Sequence, residues 1–206
     1  ITDTDALITE GFRKNIIVYR CVTLIAKSVA SIAPIITECG KEVTDHPAIK
    51  IFKTPNHLHS WTSFAESVIS YLLLYGNSYI KPIYIENDGV PEEIYSLNPR
   101  NIEIKRLRNG HPSEYIYSAN NKQLKIADDE LIHLKFFNPF DELQGLSPLS
   151  AAIKSIDQHN AISNHNISIL QNGGRPSGCL MVKNYTAPLS KEQREYLQKE
   201  LRSSYQ

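Results

Sequence analysis

Residues 61–82, WTSFAESVISYLLLYGNSYIKP, leave the chain few ways to fold. Trp61, Phe64, Val68, Ile69, Leu72 and Leu73 recur at the three-to-four spacing that lines one face of a helix. Thr62 or Ser63 can cap the first turn, with Glu66 at capping-box distance from Ser63. Gly76-Asn77 supplies the left-handed residue that closes a helix without a Cβ penalty. Residues 78–86 then read as a strand, in which Pro82 marks an edge or a bulge. At roughly 1.5–3 kcal/mol for each buried apolar side chain, this face contributes about 10 kcal/mol gross, an upper bound. A helix, a sharp stop and a strand therefore form the centre of the core.

The flanking sequence adds helices and short strands. Residues 11–33 predict one helix with a stripe of Phe12, Ile16, Ile17, Cys21, Leu24, Ile25, Val29 and Ile32, ended by Pro34. Ile35-Ile36 followed by Glu38-Cys39-Gly40-Lys41 predicts a small hairpin. His46-Pro47 opens a short helix through Phe52, before Pro55-Asn56. Strands are expected at 94–97, 101–107, 115–117, 124–126 and 131–137. Asp88-Gly89 and Asn109-Gly110 are strong hairpin turns between them and Asn120-Asn121 a weaker one. Short strands beside helices argue an α+β domain, with helices packed on a mostly antiparallel sheet.

Ser147-Pro148 then starts a helix in the favoured cap and N1 arrangement. It runs to about Gln171, some ~36 Å at 1.5 Å per residue. Leu149, Ile153 and Ile156 give its first half an apolar face. Its second half, 157–166, is polar almost all round, so it either bridges domains or packs against other polar helices. Asn172-Gly173-Gly174 ends it, 179–182 reads as a strand, and 189–201 as a helix capped near Ser190.

Composition limits function. Lys plus Arg and Asp plus Glu number 22 each, so no overall field draws in nucleic acid. Cys21, Cys39 and Cys179 make neither a CxxC pair nor an even disulfide set, which fits reduced thiols in a cytosol. No run approaches the ~18 apolar residues of a membrane span, and no signal peptide is visible. The start without Met and the stop at Ser203-Ser204-Tyr205-Gln206 point to a trimmed chain.

No catalytic, cofactor or metal constellation emerges. His57 and His59 alternate, and His159 and His165 lie six apart, which is not the i,i+4 spacing of a helical metal pair. Gly173-Gly174-Arg175 lacks the Lys-Ser/Thr of a phosphate loop. No G-x-S-x-G elbow occurs, and Cys179 has no base partner in sequence. Asp128-Asp129-Glu130 and Asp141-Glu142 read as solvated turns. Tyr79, Tyr84, Tyr95, Tyr115 and Tyr117 alternate within strands, as packing predicts, rather than forming a base-stacking platform. Lys105-Arg106-Leu107-Arg108 reads as a solvated edge that discourages strand pairing.

Three blocks in order carry a resemblance over nearly the whole chain. They are PN-x4-WTSFAESVISYLLLYGNSYIKP, Gly145-Leu146-Ser147-Pro148-Leu149 before a long helix, and Asn172-Gly173-Gly174-Arg175-Pro176-Ser177-Gly178. Together they resemble the portal proteins of long-tailed bacteriophages. The resemblance implies a ring, typically a dodecamer, at one vertex of the phage head, through which DNA is packaged and ejected. It implies a wing-like α+β domain over 1–146 and a stem-like helix over 147–172. A small clip-like α/β segment would occupy 173–206, with the return stem, tunnel loop and crown following Gln206. It further implies that Gln158, His159, Asn160, Asn164 and His165 face neighbouring subunits or the channel. Arg175, Pro176, Ser177 and Gly178 would dock the motor. The implied partners are other copies of the chain, the terminase large subunit, capsid and head–tail adaptor proteins, and double-stranded DNA passing without specific binding, with no membrane. The implied location is the virion, and the bacterial host cytoplasm during assembly. Two other readings remain from the residues alone: an interaction scaffold offering the long helix to another partner, and a hydrolase or transferase whose site assembles only in three dimensions.

Overall fold

A computed structural model describes residues 8–44, 46, 48–84, 89–106, 112–119, 122–171 and 190–204. Its contacts divide the chain into two compact units, Ile1–Asn164 and His165–Gln206. The first holds helices and antiparallel strands, the α+β class that the pattern predicts. A π-helical turn at Thr9–Arg13 precedes helix α1 (Ile16–Ala30), and a two-stranded hairpin follows, β1 (Thr37–Glu38) with β2 (Lys41–Glu42). Cys39 and Gly40 both have positive φ, 50° and 79°, as the expected tight turn requires. Next come α2 (Ala48–Lys53), α3 (Trp61–Tyr75), β3 (Asn77–Ile83), β4 (Glu93–Leu97), β5 (Ile102–Arg106), β6 (Pro112–Ala119), β7 (Lys122–Ala127) and β8 (Ile132–Lys135). The long helix α4 (Pro148–Gln171) follows, and α5 (Lys191–Ser204) lies in the second unit. Ser190 and Gln193 cap α5 reciprocally: Ser190 Oγ accepts from Gln193 N, and Ser190 N donates to Gln193 Oε1.

The strands form two small antiparallel sheets, β4-β3-β8 and β5-β6-β7, rather than one broad sheet. The dipeptides Asn109-Gly110 and Asn120-Asn121 themselves, like Asp88, lie outside the described residues. The strands on either side of them pair as neighbours all the same. Pro82 sits in the middle strand β3, yet β8 pairs only with 77–80, so one side of β3 is already free where the missing N–H falls. Tyr79 of one sheet meets Tyr115 of the other edge-on at 5.9 Å, over a core with Ile126 and Leu131. Burial raises the pKa of both phenols, that of Tyr115 to about 12. These tyrosines pack, as their alternation suggests.

Three local expectations are corrected. The cap of α3 is Ser60, whose Oγ accepts from Ser63 N, because Ser60 is the last residue with extended backbone. The helix expected over 11–33 is broken by Asn15, which is extended and accepts from Ile17 N and Val18 N to start α1. The buried face of α1 is Val18, Val22, Ala26 and Ala30, whereas Ile16, Ile17, Leu24, Ile25, Val29 and Ile32 are exposed. This inward row is an i,i+4 ridge of small side chains, which lets α1 lie close against α3. Hydropathy weights the larger residues, and here they point outward.

The stop at Gly76 meets the segment that leads into α4, both within the first unit. Gly76 has φ 76°, and a Cβ there would lie 2.6 Å from the backbone of Gly145, Leu146 and Ser147. A Cβ on Gly145 would lie 2.0 Å from Gly76 O. Phe136 N donates to Gly76 O, while Asn77 Oδ1 accepts from Gly145 N at 2.7 Å and from His133 Nε2 at 3.0 Å. Gly145→Ala is therefore expected to lower stability by roughly 1–3 kcal/mol or more, read as a fall in the thermal midpoint.

His133 adds a pH dependence. It stacks on Tyr79 at 4.4 Å, and burial, reinforced by Lys135, lowers its pKa to about 4. An unfolded histidine takes a proton near pH 6.5 and the folded one does not until about pH 4. Stability is thus fully present above about pH 6.5 and falls as pH drops towards 4. Urea titrations across that range should show this slope, and His133→Gln should lose about one proton's worth of it.

Candidate subunit interface on the long helix

Helix α4 is held at two points. At its start, Ser147 is buried, accepts from Leu149 N, and donates Oγ–H to Leu73 O of α3 at 2.9 Å. Pro148 follows where no backbone donor is required. Leu149, Ala152 and buried Ile156 then pack on Val18, Val22 and Leu74. Gly11 is buried beside Ile156, whose Cδ1 is 3.7 Å from where a Cβ would stand, an ordinary contact distance. One turn later comes the second point. Asn15 Nδ2 donates to Asn160 Oδ1 at 3.0 Å and lies 3.1 Å from His159 Nδ1, and Asn160 Nδ2 donates to Glu10 O. Asn15 thus caps α1 with its oxygen and ties down α4 with its nitrogen.

The candidate residues of α4 therefore separate. Asn160 faces its own domain. His159 is exposed but reaches Asn15, and Asn164 is exposed and takes part in a polar interaction. Gln158 and His165 are exposed, seven apart on the side opposite Ile156 and Asn160. Between and beyond them on that side come Ile162 and Ile169, 51% and 41% exposed. Gln158, Ile162, His165 and Ile169 form a seam at i, i+4, i+7 and i+11, mixed polar and apolar. This spacing was present in the sequence, but the surrounding Asn, Ser and Gln mask it in any average over the window. From Ala161 to Gln171 every residue but Ser163 is exposed. Such a surface can make neutral hydrogen bonds and apolar contacts with another helix; between 157 and 171 its one formal charge is Asp157. Arg175, Pro176, Ser177 and Gly178 lie outside the described residues.

Among the described residues, another cluster of titratable groups is His57, Tyr95 and Glu93. Tyr95 Oη donates to Glu93 Oε2 at 2.7 Å and lies 2.9 Å from His57 Nδ1. That hydrogen bond from Tyr95 is the main cause lowering the Glu93 pKa. The cluster borders an open depression of about 740 Å³ also lined by Lys50, Asn56, His59 and Glu92. Asn56 shapes it by accepting from Leu58 N and His59 N and donating to Ile94 O.

These contacts predict different outcomes for neighbouring substitutions. Asn15→Ala should lower stability by about 1–2 kcal/mol, the cost of a lost cap. Gln158→Ala and His165→Ala should stay within about 0.5 kcal/mol of the parent in chemical denaturation.

The profile of the phage portal protein family matches residues 16–206. An uncharacterized protein of Rickettsia bellii (strain RML369-C) is 37% identical over 203 residues, spanning 95% of this chain and 52% of that protein. The chain thus spans about half the length of the curated relatives it matches. Three solved chains are similar across nearly all of it. One is from the neck of an empty gene transfer agent (GTA) particle computed with C6 symmetry: 29% identity, TM-score 0.77, 98% of this chain and 56% of that one. The second is from the virion of a native GTA particle: 31%, 0.75, 100% and 56%. The third, from the neck of a native GTA particle computed with C12 symmetry, gives 30%, 0.74, 98% and 55%.

Proposed function

The chain belongs to the phage portal protein family, and from that we propose that it is the wing and first stem helix of a head–tail connector subunit. The observation carrying this reading is the similarity, over at least 98% of the chain, to proteins of GTA necks and virions. The proposed assembly is a closed ring of copies around a channel for double-stranded DNA, located in the virion and assembled in the bacterial cytoplasm. In it, 1–146 forms the wing, 147–172 the stem helix and 173–206 the clip. Portal proteins act as structural parts, and the role proposed for this one is mechanical rather than catalytic.

The long helix fits that role physically. Its anchored side joins the wing, and its outer seam is left for the α4 of adjacent copies. Packing around a ring would bury Ile162 and Ile169 and satisfy Gln158 and His165 across subunits. A lining with little positive charge suits a conduit, because a basic channel would hold phosphates by counterion release and hinder sliding. The clip residues Arg175, Pro176, Ser177 and Gly178 are proposed to meet the terminase large subunit and, after packaging, head–tail adaptors.

Native mass spectrometry with negative-stain imaging of the full-length protein tests the reading. A closed ring is expected, with Ile162→Glu cutting the ring fraction at least about tenfold, as burial of an unpaired charge would. Its monomer should unfold within about 0.5 kcal/mol of the parent, since Ile162 is half exposed there. Monomers at every concentration would overturn the proposal.

A further inference from the structure

A cyclic ring is held by heterologous contacts: one surface of each copy meets a different surface of the next. The first compact unit offers two such surfaces. One is the outer side of α1 with the bend after it, where Ile17 and Leu24, seven apart on the helix, are 53% and 54% exposed and Ile32, just past its end, 67%. Cys21 lies on the same side and is exposed. This seam runs into a cavity of about 340 Å³ walled by Pro34, Ile36, Val43, Ile49, Phe52 and Trp61, with Glu42 and Lys53 also on its lining. Trp61 is held at that end by its Nε1–H, which donates to Ile32 O at 3.4 Å.

The other surface is the loop 136–145 between β8 and α4. Phe137 and Phe140 are 86% and 88% exposed, so neither ring packs on its own domain. The loop itself is framed. Asn138 Nδ2 donates to Gln144 O at 2.7 Å, Phe140 N to Asn138 Oδ1 at 3.0 Å, and Leu143 N to Asp141 Oδ1 at 2.8 Å. Lys135 Nζ donates to Glu142 O, and Asn77 holds Gly145. Two aromatic rings on a braced loop dock with little further ordering, the condition under which apolar anchors bind well.

Charge selects the pairing. The formal charges of α1 are Arg20 and Lys27, with no acid. Those of the loop are Asp141 and Glu142, offset in part by Lys135, whose ammonium reaches Glu142 O, while Glu42 and Lys53 of the cavity lining cancel. Two α1 seams facing each other would oppose like charges and close a twofold dimer, not a ring. Loop against α1 brings opposite charges together and propagates.

We propose that the Phe137–Phe140 loop of one copy seats on the outer α1 seam and adjoining cavity of the next, forming a wing-to-wing contact around the ring. The inference rests on the ring reading above.

The test uses the full-length protein with Phe140→Cys and with every native cysteine except Cys21 replaced by serine, Cys39 and Cys179 included, so that Cys21 is the second thiol. A short bismaleimide on imaged rings should give a ladder of covalent multimers, lost when Cys21→Ser is added. Separately, Phe137→Ser/Phe140→Ser should cut the ring fraction at least tenfold with an unchanged thermal midpoint. Rings in the parent protein, with no ladder and a double variant that assembles normally, would overturn this contact and leave the ring standing. Dimers alone, formed equally without Phe140→Cys, would instead assign a symmetric α1 contact and also overturn it. Parent protein that never forms rings would remove the ring reading and this inference with it.

Discussion

Two backbones that nearly touch set the frame of this chain. Gly76 and Gly145 approach so closely that neither has room for a Cβ, and Asn77 fills the remaining hydrogen bonds of both segments. Asn77 Oδ1 takes two donors, Gly145 N and His133 Nε2, while its Nδ2 donates to Tyr75 O and Gly145 O. The end of α3, the middle of one sheet and the entrance to α4 are thereby fixed at one place. A buried polar residue with every partner supplied specifies geometry better than an apolar one, which could slide. The direction in which the long helix leaves its domain follows from this joint.

Much of this was legible in local chemistry. The stop after α3, the cap and proline at the start of α4, the capped α5 and the antiparallel pairing of the meander follow from turn and cap residues whose requirements are met within a few positions. What was not legible was side. For α1 the hydropathy pattern selects the bulky residues, but the ridge that packs is Val18, Val22, Ala26 and Ala30. A helix apolar on two opposite sides gives two equally good answers, and only the volume available beside α3 decides between them.

The long helix shows the same limit in polar form. Gln158, His159, Asn160, Asn164 and His165 share one polar stretch, which by local pattern alone reads as a single surface. Helical geometry turns Gln158 and His165 away from Asn160, and Asn15, some way off in sequence, satisfies Asn160. A residue whose partner is long-range carries no local mark of being occupied. Ile162 and Ile169, by contrast, were visible as isolated apolar positions but were diluted by their neighbours.

Anchoring at Ser147 and again at Asn160 fixes the rotation of α4 as well as its direction. The two points are about 20 Å apart along the axis, at 1.5 Å per residue, and between them Leu149, Ala152 and Ile156 pack on α1 and α3. A helix held only at its start could turn about its own axis. Held at both points, it keeps Gln158 and Ile162 on the side away from α1.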